Sequence, residues 1–263
     1  MTVDLNSFQL LVNSETTENW YLATADNKLV LMKTDGPEPP TPTDYYYRAN
    51  SPEDLAKTTW TIDGTDKKGA KFTEGDAATA TYSGGVEMNA DGTVEVAENK
   101  NLTLAGVVSG SGNVEKTGDG TLTLSGDNTY TGKTTISEGT LALTGDAVKA
   151  NSSIEIADDA TLEYNVAANN AKLLTFTNDV TVSGGNVIKT GAGTLKILAT
   201  EGLFETDNFT VSAGELDFKG QYNGDLIVKT GATLSPGNSV GELTVTGNVV
   251  FEAGATGLFD FSA

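Results

Sequence analysis

The chain has 263 residues, room for one elongated domain or one domain beside a small module, and it contains no cysteine and no histidine. That composition removes Ser-His-Asp and Cys-His catalysis, the usual zinc sites and any disulfide framework. With 36 acids against 16 bases the formal charge is −20, which speaks against nucleic acid and anionic membrane surfaces as partners.

In chain order, residues 1–35 form a first segment. Leu5, Phe8, Leu10, Leu11 and Val12 are apolar, but no charged leader or small-residue cleavage site accompanies them. The start therefore reads as that of an excised piece with an added Met, rather than as a signal peptide. Trp20 to Thr24 and Leu29 to Met32 flank a polar turn and predict a β-hairpin, which would end an upstream module or cap a downstream one. Residues 36–43, GPEPPTPT, carry four prolines and predict a stiff extended linker.

The third segment, residues 44–263, opens on Tyr45-Tyr46-Tyr47. Ser51-Pro52-Glu53-Asp54 then sets an N-cap serine, a proline at the first helical position and early acids, the one plausible short helix. From Thr58 the chain is strand and turn. Thr59 to Ile62, Val94 to Val96, Leu102 to Leu104, Ile154 to Ile156, Leu173 to Phe176, Val180 to Val182, Leu226 to Val228 and Val249 to Phe251 are the clearest runs. No stretch approaches the roughly 20 apolar residues of a membrane-spanning helix.

Gly110 to Leu143 shows the plan most plainly. Leu122 and Leu124 alternate with Thr121 and Thr123; Ile136, and then Leu141 with Leu143, repeat the pattern. Gly118, Gly120, Gly126, Gly132 and Gly139 mark corners, where a residue without Cβ takes positive φ at little cost. The wording returns 73 residues on: Val114 to Leu124 is echoed by Val187 to Ile197, and Ser137 to Leu141 by Ser212 to Leu216. A looser echo runs from Val228 to Leu234. Self-similarity of this kind, at about 20 to 25 residues per coil, predicts a solenoid, and an offset of 73 suits about three coils. Residues 58–263 then make roughly nine coils in a rod of roughly 40 to 45 Å, whose ends need capping or continuation.

Lys116 to Leu141, KTGDGTLTLSGDNTYTGKTTISEGTL, resembles the passenger-associated repeat of bacterial autotransporters. Gly231 to Val245, GATLSPGNSVGELTV, is similar to a segment found late in such passengers. The resemblance implies an all-β, right-handed parallel β-helix outside a Gram-negative cell, with the small hairpin segment before it. It also implies a translocator β-barrel outside this chain, and C-terminal coils that nucleate folding during export. The lack of cysteine suits passage through an oxidising periplasm. The family fixes no activity, since passengers include adhesins, toxins, proteases and esterases.

Candidate sites are few. Tyr45, Tyr46, Tyr47 and Trp60 form an aromatic patch for sugar stacking or a protein partner, unless they cover the open end of the core; Tyr130 reads as packing. Asp158-Asp159 and Glu53-Asp54 are the adjacent acidic pairs weighed for glycosidase chemistry, and successive strand residues face opposite ways. Arg48 is the sole arginine, so a lyase would lack its basic cluster. The calcium-coil pattern G-G-x-G-x-D is absent after Gly84-Gly85 and Gly184-Gly185. No cofactor, metal or catalytic residue is expected. The expected protein is a non-enzymatic surface passenger, an adhesin or rigid stalk touching a host or bacterial glycan or protein. A carbohydrate-active β-helix enzyme and a self-associating module are the rival classes.

Overall fold

A computed structural model describes residues 20–25, 28–33, 46–73, 76–147, 152–176, 180–199, 203–237 and 241–259. The chain divides into two compact units, residues 1–44 and 45–263. In the first, Trp20–Ala25 pairs antiparallel with Lys28–Lys33, Trp20 opposite Lys33 and Ala25 opposite Lys28, which is the expected hairpin. The proline-rich stretch 36–43 lies outside the described residues.

The second unit is all-β, with parallel strands stacked as a solenoid of about nine turns. Each turn visits three faces. The first face stacks Tyr46–Arg48, Gly69–Phe72, Gly92–Val96, Val114–Thr117, Thr134–Ile136, Ile154–Ile156 and Val182–Ser183 in parallel register. The second stacks Thr79–Tyr82, Asn101–Leu104, Thr121–Leu124, Thr140–Thr144, Thr161–Asn165 and Asn186–Thr190, and ends on Val249–Phe251. The third is carried by Thr59–Ile62, Gly85–Met88 and Val108–Gly110 in early turns, and by Ala171–Thr175, Thr194–Ala199 and Thr233–Ser235 in late ones. Partners on successive turns are 20 residues apart at the tightest corner hydrogen bonds and 28 at the widest.

Alternation decides what faces inward. On the second face Leu102, Leu122, Leu141, Leu162, Val187, Phe209 and Leu226 form one buried column in register, and Leu104, Leu124, Leu143, Tyr164, Lys189, Val211 and Val228 form the next. Each side chain is removed from water by its neighbours above and below, so no turn holds a core alone. Between the early and late third-face strands, residues 125–133 form no strand but still stack: Thr129 N–H donates to Val108 O at 2.8 Å and Thr131 N–H to Gly110 O at 3.0 Å. There the Val108 N–H donates instead to buried Asn128 Oδ1 at 2.8 Å, so the missing strand leaves no orphan donor.

The corner glycines have two different reasons. Gly118 (φ 72°) and Gly139 (φ 65°) are in the left-handed region, as expected. Gly120, Gly126 and Gly132 are there because the turn below passes close: an added Cβ would stand 2.1 to 2.2 Å from the carbonyl oxygens of Ala97, Gly106 and Gly112. Gly220 (φ 119°) and Gly224 (φ 141°) let Glu215–Val228 cross all three faces as one 14-residue strand.

The two repeat copies occupy different faces. Lys116 is on the first face and Lys189 on the second, so the 73-residue offset is three turns and one further face rather than three turns alone. The looser echo is displaced by one residue. Val228 holds the inner position that Lys189 holds two turns earlier, and Lys229 lies outside, because one residue fewer separates its lysine from the next strand. A one-residue shift reverses every side chain of a strand.

The ends of the solenoid differ. At the start, Pro52–Leu55 is the short helix, capped by Ser51, whose Oγ accepts the Asp54 N–H at 3.4 Å. At the far end the inner positions Val249 and Phe251, with Leu258 and Phe259, are exposed, and no strand pairs beyond them among the described residues.

Candidate functional site

The aromatic candidates lie at the start of the solenoid, and the structure gives them unequal roles. Trp60 is fully buried, stacked between Tyr47 (centroids 5.1 Å, planes 5° apart) and Tyr82 (3.8 Å, 10°). Its Nε1–H donates to the Asp54 carbonyl at 2.9 Å, and Tyr47 Oη accepts the Thr61 N–H at 3.0 Å. Asp54 itself accepts from the Arg48 N–H at 2.8 Å and pairs with Lys57 at 3.2 Å, so this acid ties the helix to the first strand. Tyr47 and Trp60 therefore spend their ring faces on each other and close the end of the core. Neither offers a face to a sugar. Tyr46 is half-buried with the Lys71 Nζ 4.4 Å over its ring, and Tyr45 lies outside the described residues. Tyr130 is buried and its hydroxyl meets Thr134 Oγ1 at 2.8 Å, which is packing.

Sequence reasoning passed over the two lysines of the repeat. Lys116 is fully buried in a column between Val94 and Ile136, and its Nζ donates to three carbonyl oxygens: Thr117 at 3.0 Å, Gly118 at 2.5 Å and Glu138 at 3.1 Å. Lys189 repeats this between Tyr164 and Val211, on Thr190 at 2.9 Å, Gly191 at 2.6 Å and Ala213 at 2.9 Å. Burial pulls both ammonium groups down to about 8, against the carboxylates of Glu138 and Asp119 beside one and Glu215 beside the other. The signal was available: in Val114-Glu115-Lys116 and Val187-Ile188-Lys189 the lysine stands two residues after a core valine, hence on the inner side.

The lateral surface carries three open grooves, all acidic. The widest, about 570 Å³, lies at a corner lined by Glu205, Asp207 and Asp225 with Ser183, Asn223 and Thr246. A second, about 420 Å³, brings Asp119, Glu138, Asp158 and Asp159 together. The Asp158-Asp159 pair sits in the exposed turn between two strands, held by Ala160 N–H donating to Ala157 O at 2.9 Å, not on a strand. Glu138 accepts the Gly118 N–H at 2.7 Å. The third groove, about 260 Å³, runs along the first face past Thr93, Glu115 and Thr135. No lysine or arginine lines any of the three. Glu53 is exposed on the helix, away from these grooves. Among the described residues no group of three or more acidic side chains is placed to hold a metal ion, and no helix is long and apolar enough to cross a membrane.

Chemically, this surface offers periodic hydrogen-bonding groups and negative charge rather than a converging constellation. On the second face the outer column Thr79, Asn101, Thr121, Thr140, Thr161, Asn186 and Asn208 stacks in register without a charge. On the first face the column Thr93, Glu115, Thr135, Glu155, Ser183 and Glu205 alternates hydroxyl with carboxylate.

A family model described as the passenger-associated-transport-repeat matches residues 114–143. No curated protein and no solved structure matches the chain. The matched segment holds the first lysine cage and the corners on either side of it. The repeat and the parallel solenoid together fit the β-helix of an autotransporter passenger, and such a repeat implies a secreted or surface protein.

Proposed function

We propose that this chain is a non-enzymatic passenger segment of a Gram-negative autotransporter, displayed at the cell surface as an adhesin or as the rigid stalk that presents one. The observation that carries this reading is the transport repeat at residues 114–143 set within an unbroken stack of parallel turns. Stacked turns hold side chains on fixed lateral columns, so recognition is by geometry and repetition along a face, not by a pocket that bends substrate. The partner is a host or bacterial surface glycan or protein, met by the hydroxyl, amide and carboxylate columns. The translocator barrel lies outside this chain.

A second reading rests on the uncharged threonine and asparagine column of the second face. It carries donors and acceptors together, so a copy of itself is complementary to it, and self-association follows as the alternative. Residues for enzymatic turnover are wanting: the grooves gather acids without a cation to stabilise developing negative charge.

The test is a screen of the purified chain against surface glycans and matrix proteins, with mucin and plant polysaccharide turnover followed in parallel. Saturable binding without turnover is the expected result. Product release from a polysaccharide would overturn the non-enzymatic reading. Concentration-dependent dimers without ligand binding would favour the self-associating one.

A further inference from the structure

We propose that Lys116 and Lys189 are register locks, each ammonium fixing which residues of its strand face the core by binding its own corner to the turn stacked on it. The register needs fixing. In Val114–Thr117 a slip of one residue would turn Val114 and Lys116 outward and bring Glu115 and Thr117 inward, and short threonine-rich strands resist such a slip weakly. An inward lysine resists it, because only the native register supplies three carbonyl oxygens to a buried ammonium.

Three observations carry the inference. The cages agree in detail: in each, two acceptors come from the two residues after the lysine and the third from the next turn, Glu138 in one case and Ala213 in the other. They do so on different faces, among different neighbours, so the geometry belongs to the repeat and not to its surroundings. The third copy of Lys-Thr-Gly supplies the contrast. Its lysine, Lys229, pairs with Glu252 at 2.7 Å outside the core while Val228 stands inside. What differs is the second glycine. Lys-Thr-Gly-x-Gly follows both caged lysines, and at Gly120 and Gly193 an added Cβ would stand 2.2 Å from the carbonyl oxygens of Ala97 and Ala167. Lys-Thr-Gly-Ala-Thr follows the lysine left outside. The rule that results is readable from sequence: the spaced glycine pair puts the lysine in.

The test is native-state hydrogen exchange on the full chain. Ser137 N–H donates to Lys116 O, and Ser212 N–H to Lys189 O, each at 2.9 Å, so these two amides report the locked corners. Lys116→Met should speed exchange at Ser137, and Lys189→Met at Ser212, by roughly 10- to 100-fold, since three carbonyls lose their donor. Lys229→Met should leave the amides of its own corner unchanged. Equal effects from all three substitutions, or none from the first two, would overturn the proposal. Should the methionine variants fail to fold, the wild-type chain still decides. Two ammonium groups should show slowly exchanging protons in ¹H–¹⁵N spectra at neutral pH, and exchange of all lysine ammonium protons at the rate of Lys229 would also overturn it.

Discussion

Tyr164 and the two caged lysines lie side by side in the inner columns, and each is a polar group in apolar company. The Tyr164 hydroxyl is buried without a hydrogen-bond partner among the described residues, and burial raises its pKa. Removing that oxygen removes an uncompensated desolvation cost, so Tyr164→Phe should stabilise the chain by about 1 kcal/mol in urea unfolding. The lysines give a pH signature. Unfolded, they keep their protons to about 10.5; folded, they release them at about 8. Between those values the unfolded chain binds more protons, so stability rises with pH. The tyrosines act oppositely. Burial pushes Tyr82 and Tyr222 up from 10.0 to about 12, so the folded chain holds more protons there and stability falls over that span. Urea midpoints should therefore climb from pH 8, peak at about pH 10 and decline toward 12. A steady fall from pH 8 upward would contradict the lysine burial.

At the scale of the element, the corner is the unit that repeats, and its glycines are steric rather than torsional at several positions. Gly132→Ala would drive a Cβ to 2.1 Å from the Gly112 oxygen, backbone against backbone, and should cost ~2 kcal/mol with a lowered urea midpoint. A neutral substitution there would mean that the turns are spaced more widely. Strands, hairpin, short helix and number of turns were legible because Leu/Thr alternation and glycine spacing are local signals, strong in runs such as Thr121–Leu124. Three things were not. The face on which each repeat lies depends on summed turn lengths, and these vary from 20 to 28 residues. The one-residue displacement of Lys229 is invisible in a motif that keeps the same three letters. The fate of Tyr47 and Trp60 depended on Tyr82, 22 residues beyond Trp60 in the chain but stacked against it in the fold. The aromatic patch was thus half read: its composition was plain, but its burial is a property of the stack.

For the solenoid as a whole, parallel turns are piled in fixed register, and recognition is left to the outer columns. Ion pairs between neighbouring turns, such as Lys71–Glu95 at 2.8 Å and Lys229–Glu252 at 2.7 Å, decorate this stack and add little at exposed sites. Since the chain has no cysteine, engineered pairs report register without background. Thr103 and Thr123 are in-register neighbours on the outer second face, and Thr210 lies five turns along the same column. Parallel neighbours stand ~4.8 Å apart, within disulfide reach, whereas five turns span ~24 Å. The decisive measurement is disulfide formation in the folded chain under mild oxidation. Thr103→Cys with Thr123→Cys should close an intramolecular bridge, and Thr103→Cys with Thr210→Cys should stay reduced. A neighbouring pair that remains reduced, or a distant pair that closes, would contradict the stacked solenoid and the surface built on it.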